Sequence, residues 1–222
     1  MQRRRSRGWL GLGLVLACAA AACAPPVVSL KAAPRSYTAG DYERIYERWT
    51  RGSREFDFGH LKTVLNVTAT FESRDFRWAY VVRYGEDFDL APEARTSLLN
   101  ASLSDAEQHH RFFVTMGDGR PRDVDLTDER GGWRVVLLDD RGRQTRPIEV
   151  ERLRKATAAE RTYFPTVSSF RQAFRLVFPV RHEDGNPTVP TESLFAILRF
   201  TGPRGQVDLK WEFEPRPQPT VR

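Results

Sequence analysis

The chain has 222 residues, a formal charge of +6 and two cysteines, Cys18 and Cys23. Four of its positive charges are arginines 3, 4, 5 and 7, so the excess from Cys23 onward is only +2, which removes the case for nucleic acid as a partner. No thiol follows Cys23, which excludes a disulfide, a cysteine nucleophile and a thiolate metal site in the chain beyond it; the roughly 180 residues of 37–214 suffice for one domain with its own core.

Residues 1–22 read as a signal peptide: a positive RRRSRG start, the apolar run WLGLGLVLACAAAA and a small-residue cleavage zone. The apolar run is too short, and prolines follow too closely, for a membrane span. Ala20-Ala21-Ala22-Cys23 resembles the lipobox of bacterial lipoproteins. That resemblance implies that Cys23 is acylated, becomes the mature N-terminus and anchors the protein in a membrane. Cys18, after Val15-Leu16-Ala17, is the alternative, but it would leave a very short apolar region. Neither cysteine is followed by Asp, which by the family's sorting rule implies the outer membrane, facing the periplasm. Residues 23–36, with Pro25, Pro26 and Pro34, read as an extended tether.

Residues 37–214 read as one domain. Thr38 to Arg51 is expected to be helical, with Tyr42, Ile45, Tyr46 and Trp49 on one stripe. The stripe either packs on the domain's own sheet or, through Tyr42, Tyr46 and Trp49, docks a partner. His60 to Ser73 alternates as a half-buried strand. Asp75 to Tyr84 fits a strand or a helix, and the helix is preferred because no turn residue separates it from the preceding strand. Pro92 to Leu99 reads as a short helix, with a third capped near Ser104. From Arg111 onward, short apolar runs alternate with Gly- and Asp-rich turns: 111–116, 133–138, 145–153, 170–180, 194–200 and 207–213. This pattern predicts a mostly β (α+β) protein, an antiparallel immunoglobulin-like β-sandwich with an N-terminal helical layer. Residues 215–222, with three prolines, are expected to form a disordered tail.

Trp133-Arg134-Val135, Asp140-Arg141-Gly142, Phe164-Pro165, Phe178-Pro179 and Leu198-Arg199-Phe200 resemble segments of bacterial envelope lipoproteins carrying an Ig-like domain. The resemblance spans residues 110–213 and implies a fold but no site residue.

No nucleophile elbow, P-loop, H-E-x-x-H or dinucleotide fingerprint is present. His109 and His110 are adjacent, so they diverge on a helix and face opposite sides on a strand. His60 and His182 lie at a strand start and in a turn. Asp123, Asp125 and Asp128 offer oxygen atoms for Ca²⁺, but without EF-hand spacing and with arginines among them they read as a solvated turn. No cofactor is expected. The sequence therefore points to a lipid-anchored envelope protein that binds another envelope component as an accessory or assembly factor. The alternatives are an enzyme acting on envelope glycan or lipid, and a binder of a small ligand or metal ion.

Overall fold

The computed structural model describes residues 26–30, 33–57, 62–117, 124–128, 132–203 and 205–214. They form a mixed α/β protein of two antiparallel sheets, with nine strands and four α-helices among the described residues.

The chain enters the first helix through a turn in which the Asp41 carboxylate accepts the Thr38 backbone N–H at 2.9 Å. Helix α1 (Tyr42–Trp49) runs directly into strand β1 (Thr50–Asp57), which pairs with β2 (Lys62–Phe71). Sequence alternation did not announce β1, because its residues TRGSREFD carry no apolar stripe; the pairing with β2 makes it a strand. In β2 the expected face is the buried one: Leu65, Val67, Ala69 and Phe71 are all within 3% of full burial.

Helix α2 (Arg74–Asp87) resolves the ambiguous stretch as helical, with the Ser73 hydroxyl capping Phe76 N–H at 3.2 Å. The two short helices expected next are one, α3 (Pro92–Gln108). No glycine or proline interrupts it, and continuing a helix costs far less than nucleating a second one. Strand β3 (His109–Gly117) follows without a linker.

Strands β4 (Arg134–Leu138) and β5 (Gln144–Thr145) are joined by a turn in which Gly142 has φ +80°, the left-handed conformation its missing side chain tolerates. The run 145–153, expected as one strand, is divided at Pro147, which has no N–H to give a ladder. Its halves belong to different sheets, β5 in one and β6 (Glu149–Leu153) in the other. A short helix α4 (Ala158–Tyr163), capped reciprocally by Thr157 and Glu160, precedes β7 (Gln172–Pro179). Strands β8 (Phe195–Gly202) and β9 (Gly205–Glu212) close the described chain as a hairpin.

The five-stranded sheet has the order β1-β2-β3-β7-β6 and the four-stranded sheet β5-β4-β8-β9. Both contribute to one core. Trp211 of β9 meets Phe71 and Phe112 of the other sheet, with ring centroids 6.2 and 5.4 Å apart, and its Nε1–H donates to the Trp49 carbonyl at 2.9 Å.

The described part of the segment read as a spacer, 26–30 and 33–36, is docked. Val28 N–H donates to the Glu212 carbonyl at 2.8 Å, Glu214 N–H to the Val28 carbonyl at 2.9 Å, and Val28 is 1% exposed in the core. Arg35 and Tyr37 then both bond Asp75, at 2.7 and 2.5 Å. The prolines and absent periodicity of residues 23–36 suggested solvated chain. Instead the unpaired edge of β9 and the buried carboxylate of Asp75 give the described part of that segment its partners. The proposed tail, 215–222, lies outside the described residues.

Candidate functional site

Where this docked segment passes the junction of β2 and α2, it borders a cavity of about 160 Å³. Ser29 and Leu30 form one side, Phe71 to Asp75 another, and Ala106, His109, His110, Val180, Val189 and Thr191 complete the lining. The lining mixes apolar side chains with four titratable ones beside Arg74: Glu72, Asp75, His109 and His110.

Each of these four has a distinct state. Asp75 is buried, and its Oδ1 accepts Arg35 Nε and Tyr37 Oη while Oδ2 accepts Trp49 Nε1 at 2.8 Å. Burial pushes its pKa up, but the bonds from Tyr37, Trp49 and Arg35 outweigh that and hold the carboxyl below its ordinary value. Burial, and then the bond to Asp75, push the Tyr37 phenol up to about 12. Asp75 is thus a latch joining the N-terminal segment, α1 and α2.

His109 belongs to a second cluster. Its Nδ1 lies 2.9 Å from Asp105 Oδ1, and Asp105 also takes Arg111 through two nitrogens at 2.6 and 2.8 Å and Arg77 at 2.7 Å. Arg111 and, against burial, Arg77 and His109 hold the Asp105 carboxyl well below the usual carboxylate range. Arg77 additionally donates to the carbonyls of Glu72 and Ser102, tying the β2–α2 junction to α3.

His110 points elsewhere, as its adjacency to His109 on a strand requires. Its ring meets Phe71 edge-on at 5.7 Å, and its Nε2 is buried without a hydrogen-bond partner. Burial, with the charges of Arg77 and His109 adding, pushes its pKa down to about 4, so the ring is neutral at pH 7. Glu72 is the converse case. Burial pushes its carboxyl up, against the fields of Arg77, Arg175 and Arg111. It is the cavity-lining acid whose side chain is not committed to a bond with a described residue.

The aromatic stripe singled out in the sequence does not form a docking surface. Tyr42, Tyr46 and Trp49 are 4%, 8% and 0% exposed, and the Tyr42 hydroxyl donates to the Tyr163 carbonyl at 2.6 Å. They pack beneath Phe76, Phe164 and Phe71. An amphipathic helix shows its apolar face identically whether core or partner covers it, and here the core does.

Among the Ca²⁺ candidates, Asp125 is turned to protein partners. Its Oδ1 accepts both donors of Thr127, at 2.9 and 2.7 Å, and its Oδ2 accepts Arg152 at 2.8 Å, so a guanidinium occupies the place a cation would take. Asp128 is exposed, and Asp123 lies outside the described residues, as do Cys18 and Cys23. Among the described residues no three His, Cys, Asp or Glu side chains are grouped to hold a metal ion.

Sequence reasoning missed Asp75, Glu72 and Asp105. Asp75 reads locally as an ordinary acid in the first turn of a helix, and its partners are 26 to 40 residues away in sequence. An acid flanked by aromatics in SRDFRWAY was the one local sign available. No family model matches the chain, and no curated protein or solved structure is significantly similar to it.

Proposed function

We propose that this is a lipid-anchored protein of the bacterial cell envelope, held at the outer membrane through an acylated Cys23 and facing the periplasm. It acts by binding, as an accessory or assembly factor for another envelope component. The two sheets are best understood as the halves of a β-sandwich of the Ig-like kind. The single observation behind the binding role is the state of Asp75. At the cavity beside the docked N-terminal segment this carboxylate is spent on three donors, Arg35, Tyr37 and Trp49, that close the chain on itself. A carboxylate so used holds a shape and is a poor candidate for proton transfer, which needs a group free to exchange its proton with substrate.

Crosslinking in intact cells through a tag placed after Arg222 tests the role. Recovery of one stoichiometric envelope protein is the expected result. Good recovery of the bait with no partner overturns the accessory-factor reading. The anchor has its own test: Cys23→Ala is expected to move the protein from the membrane to the soluble fraction, and unchanged membrane association would point to Cys18 or to another anchor.

Glu72 supports a second reading, that of an enzyme acting on envelope glycan or lipid. A half-buried carboxyl whose pKa is raised by desolvation beside a cavity is suited to general acid chemistry. Hydrolysis of purified envelope glycan or phospholipid that disappears in Glu72→Gln, with folding intact, would replace the binding reading.

A further inference from the structure

We infer that the surface around the Val28–Phe213 bridge rests on the bilayer, so that the domain is seated on the membrane and does not stand off from it. This rests on the acylation of Cys23 proposed above. A lipoprotein with a long free tether can reach across the periplasm; one whose chain docks at once cannot. Here Pro26, the first described residue, is already held: its carbonyl accepts Arg51 Nη2 at 2.8 Å while the same guanidinium's Nε bonds the Lys210 carbonyl at 2.9 Å. Two residues later Val28 is in its bridge with Phe213.

Between Cys23 and Pro26 there are three Cα-to-Cα steps, spanning at most ~11 Å when fully extended. The polar layer on one side of a bilayer is itself roughly 5–8 Å thick. With the acyl chains of Cys23 in the hydrocarbon, the clamp at Pro26 therefore sits at the headgroup surface. Eight steps would separate Pro26 from Cys18, a leash of up to ~29 Å that would leave the domain free.

The surface at this point suits the contact. Val27, beside the bridge, is 49% exposed, and Leu194, whose carbonyl accepts Phe213 N–H on the other side of β9, is 57% exposed. Nearby charges are mixed: Lys210 pairs with Glu212 at 2.8 Å, and Glu214 follows. The seating thus depends on the short leash and apolar contact and not on attraction to anionic lipid, and it is expected to resist salt.

The absence of any thiol after Cys23 makes the test direct. Full-length acylated protein carrying Val27→Cys, Leu194→Cys or Glu149→Cys is labelled with an environment-sensitive nitrobenzoxadiazole probe. It is then reconstituted in vesicles of phosphatidylethanolamine and phosphatidylglycerol containing spin-labelled lipid. Glu149 is exposed on β6, at the far edge of the sheet from β1 and hence from Arg51. Several-fold stronger quenching at 27 and 194 than at 149, unchanged in high salt, is expected. A flexible Gly-Ser insertion after Cys23 should erase the difference. Equal quenching at the three positions in vesicle-bound protein overturns the seating while leaving the anchor intact. A mature protein whose mass lacks the lipid and which stays off the vesicles overturns both.

Discussion

Glu72 and His110 stand in sequence on either side of the two helices and in space beside one cavity, and the protein keeps both from charging easily. Their effects on stability have the same cause and opposite signs. The unfolded chain protonates His110 near 6.5, whereas the folded protein does so only near 4. The folded state therefore binds fewer protons in that window, and stability falls as the pH drops from 6.5 toward 4, by up to about 3 kcal/mol. Replacing His110 by Phe, which keeps the ring against Phe71, is expected to flatten the dependence of Tm on pH in that interval. Glu72 has a raised folded pKa, so stability is lost as pH rises through the ordinary glutamate value toward the folded one. Glu72→Gln should be more stable than the parent at pH 8 and no more stable at pH 4; urea midpoints at the two pH values decide it.

At the scale of elements, the β8–β9 hairpin is held where Gly202, the last residue of β8, passes close to the entry to β4. A Cβ on Gly202 would lie 2.1 Å from the Gly132 carbonyl oxygen and 3.1 Å from the Trp133 ring. Backbone cannot yield as a flexible side chain does, so Gly202→Ala is expected to cost about 1–3 kcal/mol, read from denaturant midpoints. The same local logic accounts for much of what was legible beforehand. The period of two in β2 and the helical stripe of α1 are properties of neighbouring residues. So is the Asp139 turn, where the carboxylate accepts Arg141 and Arg143 N–H at 3.0 and 2.8 Å. What α1 packs against, and which sheet each half of 145–153 would join, are settled by residues far along the chain.

For the whole molecule, the N-terminal strap joins the two sheets to the helices: Val28 pairs with β9, Arg35 and Tyr37 with Asp75 at the head of α2, and Trp49 with the same carboxylate. Removing the carboxylate takes one shared acceptor from the half-buried Arg35 guanidinium, the Tyr37 hydroxyl and the buried Trp49 indole N–H. Asp75→Ala is accordingly expected to cost about 3–5 kcal/mol and to speed hydrogen exchange at Val28 N–H. Arg35→Ala leaves Tyr37 and Trp49 on Asp75 and should cost less, about 1–3 kcal/mol. Equal losses in the two variants would mean that Tyr37 and Trp49 add nothing to what Asp75 contributes through Arg35.

By itself the sequence determined the positions of the two thiols, the long alternating strand and the turn residues of the β-rich half, and it favoured a helix over a strand at 75–84, because each is written in composition or in spacing over a few residues. Only the tertiary structure decided that residues 26–30 and 33–36 pack with the domain, that the aromatic stripe faces inward, and that Asp75 and Asp105 each gather three partners. Those outcomes depend on which donors and apolar surfaces arrive from distant segments, as with the Trp211–Trp49 bond across 162 residues. A residue's neighbours in sequence carry no record of them.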